Sequence, residues 1–135
     1  EIVCPPMLGS CRVISAKWLA SRLKSPGFHR RPLLGIDMGR KNVGIAISDD
    51  DHVQAQPAHL ITIGRGYDGF NAFAKELAGF AHERHACALV VGYPTVEGRE
   101  TSACAMVRQM VSEFSSISGC ALPVLLWNEE FTSED

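Results

Sequence analysis

Between residues 33 and 49 an apolar run of Leu33, Leu34 and Ile36 closes on Asp37, and a second begins at Val43, where Val43, Ile45 and Ile47 alternate with Gly44, Ala46 and Ser48. A repeat of two puts successive side chains on opposite faces of a strand, here one bulky and one small. The link 38–42 is short enough for a hairpin, with Gly39 and Asn42 suited to positive φ. Two antiparallel neighbours are predicted. Small residues at Gly44 and Ala46 imply that something packs or binds closely over that face.

The pattern then alternates between strand and helix. Residues 58–63 read as a short strand entered through Pro57, followed by a loop marked by Gly64, Gly66 and Gly69. Phe70, Phe73, Ala74, Leu77, Phe80 and Ala81 recur at three and four, which predicts a helix over about 68–85. Residues 86–91 are a continuous apolar strand stopped by Gly92 and Pro94. A second helical stripe carries Ala103, Met106, Val107, Met110, Phe114 and Ile117 and ends at Gly119. Residues 122–127 form the last strand, and Thr132, Ser133 and Glu134 look like the start of another helix. The order β-β-β-α-β-α-β-(α) describes an α/β domain with a mixed sheet, helices on both faces and the later strands parallel to the first.

Charge divides the chain. Six of the thirteen Lys and Arg lie before Pro32 and Glu1 is the sole acid before Asp37, so the first 36 residues carry +5 and the remaining 99 carry −7. The organisation expected is a basic arm over 1–32 and a domain over 33–135. Ile14, Trp18, Leu19 and Leu23 fall at helical spacing opposite Lys17, Arg22 and Lys24, which predicts an amphipathic helix over 13–24. An organellar transit segment, a helix docked on the domain and a nucleic-acid-binding arm are all consistent with it. No apolar run approaches the ~20 residues that cross a bilayer. Cys4, Cys11, Cys87, Cys104 and Cys120 are odd in number and contain no C-x-x-C pair, so reduced thiols in an intracellular or organellar compartment are expected.

The topology brings strand ends together. Open α/β sheets bind ligands at the C-terminal ends of parallel strands. Asp37, the loop 92–98, and Asn128, Glu129 and Glu130 all follow such strands. Carboxylates held close together are stabilised by a shared cation, and Mg²⁺ or Mn²⁺ suits oxygen ligands. A metal there activates water and stabilises charge at phosphorus, which points to phosphodiester hydrolysis. Arg40 and Lys41 in the hairpin turn could reach phosphates, as could Arg99, while Gly39, Gly92, Pro94 and Gly98 let a backbone come close. Glu97 is an auxiliary acid candidate, and Tyr93 a candidate for stacking on a base. His82 and His85 suit a helix end better than a metal site. The plainer readings are a hairpin cap for Asp37 and solvated loop charges for Glu129, Glu130, Arg40 and Lys41.

Gly35-Ile36-Asp37-Met38-Gly39 with Val43, Gly44, Ala46, Ser48 and Asp49, then Val90-Val91-Gly92-Tyr93-Pro94 with Gly98, then Asn128-Glu129-Glu130-Phe131-Thr132-Ser133, resembles the YqgF/RuvX family. The likeness runs from Leu33 onward. It implies an RNase H-like fold and a metal-dependent nuclease, acting in pre-16S rRNA processing or Holliday junction resolution. By the resemblance Asp37 is the first-strand catalytic and metal-binding aspartate, and Glu129 the second acid. Asn128 and Glu130 depart from the family's D-E-R motif. Asn128 keeps an oxygen for metal, whereas Glu130 replaces a cation. The family's final helix, with a further Asp, would begin where this chain stops, so the expected domain has a truncated C-terminal helix.

The implied partner is nucleic acid, RNA ahead of DNA, with no membrane. The implied compartment is cytoplasmic by family default, or a chloroplast or mitochondrion if the arm is a transit segment. Two other functions are compatible with these residues. One is a non-catalytic nucleic-acid-binding or ribosome-associated module. The other is an actin-like nucleotide-binding domain, which also uses D-x-G before a small-residue strand.

Overall fold

The hairpin at the centre of the sequence pattern is the centre of the sheet. In a computed structural model, which describes residues 7–8, 11–118 and 122–128, with side chains over 13–116 and 122–128, β1 (Met7–Leu8), β2 (Cys11–Ile14) and α1 (Ala16–Arg22) precede it. The hairpin itself is β3 (Leu33–Met38) and β4 (Asn42–Ser48). There follow β5 (Ala55–Thr62), α2 (Gly66–Glu83), β6 (Ala88–Tyr93), α3 (Ser102–Ser118) and β7 (Pro123–Asn128). The sheet order is β1-β2-β7-β6-β3-β4-β5. β3, β4 and β5 form an antiparallel meander, while β6 is parallel to β3 and β7 is parallel to β6.

The alternation sorts the sheet's two faces. Leu34, Ile36, Val43, Ile45, Leu89, Val91, Val124 and Leu126 point to one side and are buried with α2 and α3. The helical stripe of α2 buries Phe70, Phe73, Ala74, Leu77, Phe80 and Ala81, as its spacing predicts. Each fully buried Leu or Phe contributes about 1.5–3 kcal/mol, so this layer supplies most of the stabilisation. On the other face α1 covers part of the sheet, where Leu19 packs with Ile14, Cys87, Ala88 and Leu125. Helices therefore lie on both faces, and the helix on the second face comes from the N-terminal segment. Burial also pushes the Cys87 thiol up, which disfavours its reactive thiolate.

Several expectations change. The helix expected over 13–24 begins only at Ala16, because Val13 and Ile14 are strand residues paired in parallel with Val124 and Leu125. Ser15 caps that helix by accepting from the Trp18 N–H at 3.0 Å. β5 starts at Ala55 and contains Pro57, which an edge strand tolerates because one side of it needs no donor. The hairpin turn has no positive φ at Gly39 or Asn42. Gly39 is needed there for space, since a Cβ would lie 2.7 Å from the Asn42 carbonyl oxygen. Gly119, the helix beginning near Thr132, Cys4 and Cys120 lie outside the described residues.

Candidate active site at the ends of the parallel strands

β3 alternates, so Leu34 and Ile36 face the helices while Gly35 and Asp37 face away. Across the ladders, Asp37 pairs with Gly44 and Gly92 pairs with Trp127. Since Ile36 pairs with Val91, the next row on the outer face brings Asp37, Gly44, Gly92 and Trp127 together. They line a groove of about 620 Å³ that extends over Ala46 to Leu60 on the edge strand. Asp37 is exposed there, and Trp127 and Leu60 are exposed at 39% and 62%. Something close-packed was expected over Gly44. Among the described residues nothing comes within 4 Å of the position a Cβ would take, so the face beside the carboxylate is open.

The hairpin tip projects beyond Asp37. Gly39 donates to the Asn42 carbonyl at 2.9 Å, which closes the turn and leaves Arg40 and Lys41 exposed. The residues after β6 form a second projection. Val96 and Arg99 exchange backbone hydrogen bonds at 2.9 Å, with φ of 50° at Glu97 and 75° at Gly98, the signature of a tight hairpin turn. Glu97 and Arg99 are exposed on it. The Thr101 hydroxyl donates to the Pro94 carbonyl at 2.9 Å and ties the base of the loop.

Tyr93 does not reach the surface. Its side chain is 1% exposed, so it cannot stack on a base; its hydroxyl donates to Glu100 Oε2 at 2.7 Å, and Arg108 donates to both. Burial, and then the bond to Glu100, hold the phenol well above its ordinary value. The Tyr93 bond, followed by the Arg108 bond, holds the Glu100 carboxyl below its own. His82 does lie in the last turn of α2, and the His85 carbonyl accepts from Arg31 Nε at 3.0 Å.

Of the residues singled out in the sequence, Asp37 and Gly92 share the groove. Gly39, Arg40 and Lys41 stand on one projection beside it, Pro94 and Arg99 on the other. Asn128 is not brought to Asp37. It pairs with Tyr93 in the ladder, on the face that packs against the helices, and its Oδ1 accepts from the Thr95 hydroxyl at 2.7 Å. Glu129 and Glu130 lie outside the described residues. Among the described residues no three His, Cys, Asp or Glu side chains cluster as a metal site. Trp127 and the Tyr93–Glu100–Arg108 cluster went unread in the sequence, because only strand register shows that Trp127 shares a row with Asp37.

Comparisons with known proteins converge. The family model described as "RuvX: Holliday junction resolvase" matches residues 31–135. A Rhodopseudomonas palustris protein named "Putative pre-16S rRNA nuclease" is 34% identical over 105 residues, covering 77% of this chain and 62% of the relative. A Rhodospirillum rubrum protein of the same name is 36% identical over 104 residues, covering 76% and 61%. The chain thus spans about three fifths of the length of the curated relatives it matches. The solved structure of Thermus thermophilus RuvC superposes with a TM-score of 0.50 at 13% identity, over 72% of this chain and 63% of that one. The RNase H-like fold expected from the sequence is the fold observed.

Proposed function

Because the chain belongs to the RuvX family, we propose that it carries the catalytic face of a metal-dependent nuclease that hydrolyses phosphodiester bonds in nucleic acid, with precursor ribosomal RNA as its substrate class. The observation that carries this reading is the exposed carboxylate of Asp37 at the end of the central strand, between two glycines that leave room for a polynucleotide backbone. The names of the relatives favour RNA over a DNA junction.

The donor chemistry suits Mg²⁺ or Mn²⁺. Both are hard cations that take carboxylate oxygens and retain several waters, and Asp37 offers such oxygens with open space around them. Asp37 would hold the ion together with Glu129, the next residue in sequence after β7. Bound there, the cation supplies a polarised phosphate and an activated water. The chain's own contribution is orientation. Arg40 and Lys41 on the hairpin tip, and Arg99 on the loop after β6, are placed to take phosphates on either side of the groove, which fixes register without reading sequence. Gly39 keeps the hairpin tip tight, and Gly92 and Pro94 shape the groove wall. Asn128 was a candidate metal ligand; in this reading its oxygen serves Thr95 instead.

The setting proposed is intracellular, where the substrate is. Among the described residues no helix is long and apolar enough to cross a membrane. The deciding experiment incubates the full chain with Mn²⁺ and either a 5′-labelled ribosomal RNA precursor or a four-way DNA junction. Cleavage of the RNA that chelation stops is expected. Cleavage of the junction alone would move the substrate to DNA, and cleavage of both substrates unaffected by Asp37→Asn would overturn the site.

A further inference from the structure

The ladder between β6 and β7 ends at the pair Tyr93 and Asn128, and two residues past it the Thr95 hydroxyl crosses to Asn128 Oδ1 at 2.7 Å. Thr95 is 8% exposed, one of two buried polar side chains among the described residues. A buried hydroxyl left without a partner costs about 1–3 kcal/mol, so this bond is strongly held. The loop it anchors is otherwise closed upon itself. Val96 pairs with Arg99, Thr101 holds Pro94, and Glu100 is gripped by Tyr93 and Arg108.

We propose that Thr95 and Asn128 are positioning residues, a hydroxyl-to-amide latch that locks the 94–101 loop to the end of β7 and so sets where Glu129, the next residue, stands relative to Asp37. The inference rests on the nuclease reading above. A closed loop moves as a unit, and the latch fixes its tilt against the strand that delivers Glu129. Asn128 acts through its neighbour here, because its own amide lies on the opposite face of the sheet from Asp37. A catalytic carboxylate misplaced by about 1 Å lowers rate by about 100-fold.

The test uses the full chain with Mn²⁺ and the labelled RNA precursor. Thr95→Val and Asn128→Ala should each lower kcat by about 10- to 100-fold with KM changed by less than about threefold. The double variant should be no slower than either single one, because both remove one bond. Thr95→Ser, which keeps the hydroxyl, should restore kcat. Amide hydrogen exchange, which needs no activity, should speed up across 94–101 in Thr95→Val while α2 is unchanged. Wild-type turnover in Thr95→Val, additive losses in the double variant, failure of serine to rescue, or unchanged exchange in the loop would each overturn the latch. If Asp37→Asn is also without effect on cleavage, the nuclease reading fails, and the exchange measurement alone decides the latch.

Discussion

Asp37 stands directly across the β3–β4 ladder from Gly44, so the carboxylate at the end of the central strand has no side chain opposite it on its own face of the sheet. The same alternation that buries Leu34 and Ile36 against α2 and α3 turns Asp37 outward. Stability and reactivity are therefore served by opposite faces of one strand, and each can be altered separately.

Replacing Asp37 by Asn should lower metal-dependent cleavage by about 100-fold or more, a loss of roughly 2.7 kcal/mol in transition-state stabilisation. Because Asp37 is exposed, the melting temperature should move by no more than about 3 °C, the size expected of a surface change. Steady-state cleavage and a thermal melt check both halves.

Gly44 and Gly69 should respond oppositely to added bulk. A Cβ at Gly44 meets nothing within 4 Å, so Gly44→Ala should fold as wild type, while Gly44→Leu should fill the groove beside Asp37 and raise KM. A Cβ at Gly69 would lie 2.2 Å from the Gly64 carbonyl carbon, at the turn leading into α2. Gly69→Ala should then destabilise the protein by about 1–3 kcal/mol, the range for forced overpacking. Denaturant titration of the three variants tests the contrast.

The Tyr93–Glu100–Arg108 cluster predicts an acid limb in stability. The Glu100 carboxyl is held below its ordinary value by the Tyr93 and Arg108 bonds, so it binds fewer protons folded than unfolded just below that value. Its contribution is present above the unfolded value and is lost as pH falls through the lowered one. Tyr93 does the reverse at high pH: its raised phenol remains neutral where the unfolded phenol ionises, so stability from this group declines above the ordinary tyrosine value. Melting temperature measured against pH in wild type and Glu100→Gln should show the acid limb shrink in the variant.

Removing residues 1–24 deletes β2 and α1 and with them the buried side chains of Val13, Ile14 and Leu19. At about 1.5–3 kcal/mol for each side chain buried, the loss is of the order of the whole stability of a small domain, about 5–15 kcal/mol. The shortened chain should be largely unfolded at 25 °C by circular dichroism. A cooperative melt like that of the full chain would show that the segment is dispensable to the fold.

The elements were legible wherever their periodicity is local. The 33–49 hairpin and the stripe from Phe70 to Ala81 each declare one face within a few residues, and the spacing of Asp37 before Gly39 and Gly44 marked the site and the family. Tertiary structure decided which of these residues meet. Val13 and Ile14 carry the spacing of a helix, yet they join the sheet because β7 offers an unpaired edge to them. Tyr93, read as a loop aromatic, is the last residue of a buried strand. Asn128 sits one position from Trp127 in the chain and on the opposite face of the sheet. Strand side chains alternate with a period of two, so register between strands distant in sequence sets which residues surround Asp37, and a shift of one residue would have exchanged Asn128 for Trp127. That register is set by packing between β6, β7 and the helices above them, which no single stretch of sequence contains.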